Sequence, residues 1–235
     1  MLDGAPQSVG RCADHAMKIF DISRTLTAEL APWPGDVNFQ YRANATIPQG
    51  SSVNLGMITM SLHNGSHADA RFHFEDDGCT MEQAPLEAYL GPAIVADLSA
   101  NYRGEAMPQI RVAHLAEEWS EELRAAPRLL LKTNVVDDPN VFPKQIPTIA
   151  SEVPGWLEER GVKLIGFDVP SVDEIHSKDL RNHHALAAAG ISIIESLDLR
   201  EIEAGRYQFV ALPLKIAGGD GSPVRAILWR EERPM

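Results

Sequence analysis

Three of the chain's eight histidines fall within eleven residues. The segment 62–74 reads LHNGSHADARFHF and carries His63, His67, Asp69 and His73. Three neutral imidazoles and a carboxylate are the donor set that Zn²⁺ and related divalent ions prefer. The chemistry they offer is that of a bound cation acting as a Lewis acid. Asn64-Gly65 lies inside the segment and predicts a turn, not a helix. On a loop, the chain can fold back and aim several of these side chains at one ion. The alternative is a polar surface loop with scattered histidines; the clustering favours the metal.

The elements around this segment are legible from periodicity. Residues 17–26 read as a short strand entering a loop, and 53–62 (VNLGMITMSL) as a strand that delivers the chain to His63. Pro32-Trp33-Pro34-Gly35-Asp36 is a rigid turn cluster. Trp33, between two prolines, fits neither a regular helix nor a central strand. It is a cover over the core or an aromatic wall of a pocket, and local sequence favours the cover. Residues 85–89 predict a helical turn broken by Gly91-Pro92, with a strand over 93–98. Residues 111–124 carry helical spacing at Val112, Leu115, Ala116, Trp119 and Leu123. Strands follow at 128–133, 163–169 and 191–195. Between them lie a helix over 151–160 ended by Gly161 and a helix over 177–189 capped by Ser177 and stopped by Gly190. Strands at 207–216 and 224–229 flank Gly218-Gly219-Asp220-Gly221. That glycine run has no Lys-Ser/Thr and no helix after it, so it is not a phosphate loop. It reads as a turn whose glycines allow close backbone approach, or as a hairpin connection.

From about residue 90 to 200 strands and helices alternate, which implies parallel pairing, while the strand-rich ends imply antiparallel additions. The expected product is an α/β fold with a mixed parallel/antiparallel central sheet and flanking helices. Length and a 44% hydrophobic content allow one substantial core, and no linker divides the chain. Residues 1–16 are poor in core residues and read as a flexible extension, leaving 17–235 as a single domain. A formal charge of −12 without a basic cluster argues against nucleic acid and anionic membranes as partners. No apolar run approaches the roughly 20 residues of a membrane span, and the N-terminus lacks a secretory h-region, so the expected location is cytoplasmic. Cys12 and Cys79 are then free thiols, and Asp76-Asp77 beside Cys79 disfavour a reactive thiolate.

Ligands gather where strands of an open α/β sheet end. Glu195 ends the apolar run Ile191–Ile194, and Asp168 ends the preceding strand, followed by Ser171 and Asp173. His183-His184 lie on the helix between them. With the His cluster, these supply enough ligands for two ions, with Asp69 or Glu195 as bridges.

HNGSHADARFHF resembles the His-x-Gly-x-His-x-Asp-Ala-Pro-x-His signature of the metal-dependent cyclase-like amide hydrolases, and most nearly the bacterial kynurenine formamidase (arylformamidase) branch of that family. The resemblance runs from Met17 through Trp33-Pro34-Gly35-Asp36, Asp168, Pro170-Ser171-Val172-Asp173, Glu195 and Ser222-Pro223-Val224-Arg225. It implies a swivelling β/β/α fold and a centre of two Zn²⁺ per chain, with Mn²⁺ as the alternative metal. His63 and His67 match ligands of one ion, Asp69 a bridge, His183 a ligand of the second ion and Glu195 a second bridge. His73 matches the general acid/base. Trp33 matches a substrate-contacting aromatic, reversing its local reading. His183 is preferred over His184 by its spacing to Glu195. The resemblance further implies a homodimer or higher homo-oligomer and hydrolysis of N-formyl-L-kynurenine to L-kynurenine and formate in tryptophan catabolism. The rivals are an isatin or other cyclic-amide hydrolase of the same family, and a non-catalytic metal-binding member. A Ser–His–Asp hydrolase lacks its Gly-x-Ser-x-Gly elbow here. One departure stands out: Arg71 occupies the position of the motif's proline.

Overall fold

A computed structural model of the chain describes residues 17–102 and 108–231. The extension expected over residues 1–16, with Cys12, lies outside the described residues. In chain order the elements are β1 (Met17–Asp21), β2 (Gln40–Ala45), β3 (Leu55–Thr59), β4 (His67–Asp69) and β5 (Leu90–Asp97). Then come α1 (Ala116–Trp119), α2 (Glu122–Ala125), β6 (Arg128–Lys132), α3 (Val153–Glu158), β7 (Leu164–Phe167) and α4 (Arg181–Ala188). The chain closes with β8 (Ser192–Glu195), β9 (Gly205–Val210), β10 (Gly221–Pro223) and β11 (Ile227–Glu231).

Nine strands form one sheet in the order β1-β11-β9-β5-β6-β7-β8-β4-β10, and β2 pairs with β3 as a separate ribbon. The pairs β5–β6, β6–β7 and β7–β8 are parallel and the flanking pairs antiparallel. This is the mixed α/β sheet expected from the alternation. Its central strands are apolar on both faces because each face meets a core. Ile94, Leu129, Ile165 and Ile193 point into one core with Leu115, Leu123, Leu157 and Leu186 of the helical layer. Their neighbours Val95, Leu130, Leu164 and Ile194 point into a second core with Tyr89, Leu197, Phe209 and Leu228. Successive side chains alternate across the pleat, so a continuous run such as Leu129-Leu130-Leu131 feeds both cores. A Cβ on Gly166 of β7 would come within 2.5 Å of the Leu130 side chain, so glycine is what admits Leu130 to the second core.

Several elements depart from the sequence reading: β2 lies where no strand is expected, and the strand expected over 207–216 ends at Val210. The helical turn stands at Leu86–Tyr89, but the strand expected from residue 93 already starts at Leu90, so Gly91-Pro92 lies within β5. Pro92 pairs with Gln208 of β9 on one side, while β6 pairing begins only at Ile94. The missing N–H of Pro92 therefore faces an unpaired edge, where proline is tolerated. The helix over 111–124 is broken into a 3₁₀ turn at Val112–His114, then α1 and α2. Like charges four apart (Glu117 and Glu121, Glu118 and Glu122) oppose continuity, while Leu115, Trp119 and Leu123 stay buried. The helix over 177–189 starts at Arg181: the Ser177 hydroxyl accepts from the Leu180 N–H instead, and Asp173 takes the N–H groups of Asn182 and His183. Finally, His67–Asp69 is a strand, not a loop, although the turn at Asn64-Gly65 stands, with Gly65 at φ 71°. Among the described residues no helix is long and apolar enough to cross a membrane.

Candidate metal centre

Strand register assembles the site. β4 is inserted between β8 and β10, with His67 opposite Glu195 and Asp69 opposite Gly221. Because side chains on a strand alternate, His67 and Asp69 share a face. Pairing therefore puts two carboxylates and an imidazole from distant sequence onto one patch. The turn after β8 is clamped from behind. The Ser196 carbonyl accepts from Ser66 Oγ at 2.7 Å and from Arg24 Nε at 3.0 Å, and Ser196 itself sits at φ 57°.

Asp69 and Glu195 are buried and form the middle of the cage. His67 Nε2 stands 3.5 Å from Asp69 Oδ1 and 3.5 Å from Glu195 Oε2. His183 Nε2 stands 3.6 Å from Asp69 Oδ2 and 3.6 Å from Glu195 Oε1. Each carboxylate thus offers one oxygen to the His67 side and the other to the His183 side. His63 Nδ1 lies 3.1 Å from Asp69 Oδ1, on the His67 side. The remaining nitrogen of each imidazole meets a protein acceptor: Gly65 O for His67 at 2.8 Å, Asp173 Oδ2 for His183 at 2.7 Å, and Asp220 Oδ2 for His63 at 3.1 Å. An outer acceptor of this kind fixes the tautomer and leaves the inner nitrogen free for a cation.

His73 stacks beside His63 at a ring-centroid distance of 4.0 Å, and its Nδ1 is 3.7 Å from Asp220 Oδ2. Donor atoms of His63, Asp69 and His73 lie close enough to share one ion, as do those of His67, Asp69 and Glu195. Trp33 packs edge-on against Phe142 at 5.1 Å, and both line a cavity of ≈ 520 Å³ with His63, His67, His73, His183 and Glu195. The indole is thus a cavity wall, not a core cover. His184 turns away from the cage, 3.8 Å from Glu75. Asp168 is outside it too: its buried carboxylate accepts from the Thr133 and Asn134 N–H groups and the Thr133 hydroxyl. Arg71 donates to the Ala187 carbonyl at the end of α4, so it faces a helix end and not the cage.

Asp220 was missed by sequence reasoning. The signal is the run Gly218-Gly219-Asp220-Gly221, whose reading as a close-approach turn or hairpin connection gives Asp220 itself no role. A Cβ on Gly221 would come 2.7 Å from His63 Cε1, so the glycine is what lets the backbone carrying Asp220 reach the imidazole.

The electrostatics fit a cation. Burial disfavours charge on both carboxylates. The nearby His183, His63 and His67 imidazoles nevertheless hold Asp69 well below the usual carboxylate range, while burial and the neighbouring Asp69 charge push Glu195 up. Two carboxylates in one buried patch cannot both ionise cheaply without positive charge between them. Burial alone would lower His63, but Asp220 and Asp69 raise it to about 10. His183 is raised to about 10 by Asp173 and Asp69 against the same burial. Asp69 Oδ2 is buried and has no hydrogen-bond partner among the described residues. An unsatisfied carboxylate oxygen between an imidazole and a second carboxylate is the donor a divalent ion would satisfy.

The profile of the family described as "Putative cyclase" matches residues 20–174. The chain belongs to this family. It is 42% identical over 213 residues to a kynurenine formamidase of Bacillus cytotoxicus, covering 91% of this chain and 98% of that one. It is 39% identical to a kynurenine formamidase of Bacillus mycoides, covering 88% and 95%. Solved structures share the fold. A potential metal-dependent hydrolase with cyclase activity superposes with a TM-score of 0.75 at 26% identity, covering 93% of this chain and 100% of that one. Isatin hydrolase A of Labrenzia aggregata superposes at 0.77 and 25%, covering 92% and 94%.

Proposed function

We propose that the chain hydrolyses N-formyl-L-kynurenine to L-kynurenine and formate, a step of tryptophan catabolism. The observation that carries this reading is the two-sided Asp69–Glu195 cage opening beside an aromatic wall, in a chain 42% identical to a kynurenine formamidase. His63 and His67 would hold one divalent ion and His183 the other, with Asp69 and Glu195 bridging. The donor set of imidazoles and carboxylates suits Zn²⁺, with Mn²⁺ as the alternative. Ions held there would supply Lewis acidity toward the formyl oxygen and toward water near neutral pH.

The protein's own residues do the rest. Trp33 and Phe142 present an aromatic corner for the anilide ring. Burial lowers the His73 pKa, so its imidazole is neutral and able to take a proton at neutral pH. With Nδ1 turned to Asp220, Nε2 is the atom left for the reaction. It takes a proton from the attacking water as the C–O bond forms and returns it to the departing aryl nitrogen as the C–N bond breaks. The arylamine leaves neutral, and the formic acid produced loses its remaining proton to solvent as formate.

The ribbon β2–β3 supports a homodimer or higher homo-oligomer. Tyr41, Leu55, Met57 and Ile58 on it are 45–63% exposed, and an isolated two-stranded ribbon is marginal in water. A free thiol at Cys79 fits a reducing cytoplasm. The deciding assay is absorbance-monitored hydrolysis of N-formyl-L-kynurenine by metal-stripped protein, then by protein restored with Zn²⁺ or Mn²⁺. Restored turnover is expected. Turnover of isatin with none of the formanilide would replace this reading with the cyclic-amide one, and turnover of neither with metal bound would favour a non-catalytic member.

A further inference from the structure

We infer that Asp36 is a specificity-determining residue whose carboxylate receives the α-ammonium of an amino-acid substrate at the cavity mouth; this deepens the formamidase reading and rests on it. Asp36 and Glu195 are the carboxylates lining the cavity. Glu195 is buried, committed to the cage and bonded to the Val172 N–H at 2.8 Å. Asp36 is the one that meets both cavity and solvent among the described residues. No Lys or Arg lines the cavity among the described residues, so no guanidinium or ammonium from the lining competes for the exposed Asp36 carboxylate.

The local backbone prepares Asp36 for this. Its N–H donates to the Trp33 carbonyl at 2.9 Å, closing a turn with Gly35 at φ 92°. Its Oδ1 accepts from the Val37 N–H at 2.7 Å, which fixes the side chain. No hydrogen bond to Oδ2 is present among the described residues. One four-residue turn therefore carries both the indole wall and a held carboxylate with an oxygen to spare. A substrate whose aryl ring bears a short chain ending in an ammonium matches that pairing: ring against Trp33, ammonium against Asp36. Isatin has no such group and would gain nothing from it.

The test compares N-formyl-L-kynurenine with its des-amino analogue, 4-(2-formamidophenyl)-4-oxobutanoate, on wild type and Asp36→Asn. Asparagine keeps an oxygen for the Val37 N–H, so the turn is retained. Wild type should favour the amino-bearing substrate by about fivefold in kcat/KM, as a partly exposed charge pair allows. Asp36→Asn should erase that ratio, chiefly through KM. A ratio that persists in the variant would overturn the assignment, as would an equal fall for both substrates, which would make Asp36 a turn residue only. Calorimetric binding of L-kynurenine and its des-amino analogue reads the same ratio without turnover. If wild type does not hydrolyse N-formyl-L-kynurenine, the formamidase reading falls. A fivefold loss of L-kynurenine binding in Asp36→Asn would still uphold the ammonium site, and unchanged binding would overturn it.

Discussion

The metal cage and the β2–β3 ribbon invert the usual distribution of polarity. In the cage, His67, Asp69, His183 and Glu195 are buried. On the ribbon, Tyr41, Leu55, Met57 and Ile58 are largely exposed. Both arrangements cost free energy in an isolated, ion-free chain, one through desolvated charge and the other through wetted apolar surface. They differ in support. Each cage imidazole has a second acceptor behind it, and the strand bearing Glu195 is fixed by register to β4. The ribbon pairs outside the nine-stranded sheet, with a register shift between Ala43 and Ala45. The cage is pre-built for a small, highly charged occupant; the ribbon is a surface whose form depends on what it meets.

The sharpest way to break this contrast is to remove a bridge. Asp69→Ala and Glu195→Ala are expected to abolish turnover and lower metal stoichiometry from about two ions per chain, read by elemental analysis beside activity. Near wild-type activity in either variant would remove that residue from the centre.

Next in size is His73→Ala, which should keep both ions yet lose roughly 10²–10⁴-fold in kcat. The loss should shrink for formanilides with electron-withdrawing rings, whose nitrogen needs less help from an acid. A lost ion would make His73 a ligand instead, as its place beside His63 and Asp69 allows.

Metal removal should lower the melting temperature, by about 5–10 °C if loading is near a hundredfold above Kd. The raised pKa values of His63 and His183 set the pH dependence. In metal-free protein their stabilising contribution is complete below the ordinary histidine value of about 6.5 and is lost as pH rises through about 10. A cation must displace those protons, so uptake at pH 7 should release protons and tighten with rising pH. Metal uptake without proton release, followed by a pH indicator, would contradict the protonated cage.

A smaller effect is expected at the aromatic wall. Trp33→Ala should raise KM by more than it destabilises the fold; a collapsed melting temperature with unchanged KM in the folded fraction would return the indole to the core. On the ribbon, Ile58→Lys is expected to leave a monomer where the wild type forms the proposed homo-oligomer, seen by light scattering, while metal content stays the same. An oligomer that survives this change, or loses metal with it, would erase the distinction between the two regions.

The sequence by itself determined the donor types, the central strands and the direction of their pairing. Apolar runs such as Leu129-Leu130-Leu131 and Ile193-Ile194 are local signals, and so is the clustering of His63, His67, Asp69 and His73. What it left open was set by contacts between residues far apart in the chain. His67–Asp69 is too short and too polar to announce itself as a strand; it becomes one because β8 and β10 supply its ladder. Asp220 looks like part of a glycine turn until β10 carries it to His63, 157 residues away. Asp168 and Glu195 end neighbouring strands in the same local pattern. Burial against Thr133 and Asn134 commits one to the scaffold, while pairing across His67 commits the other to the cage. Local residue types define which groups can hold an ion, whereas strand register, a long-range property, decides which of them meet.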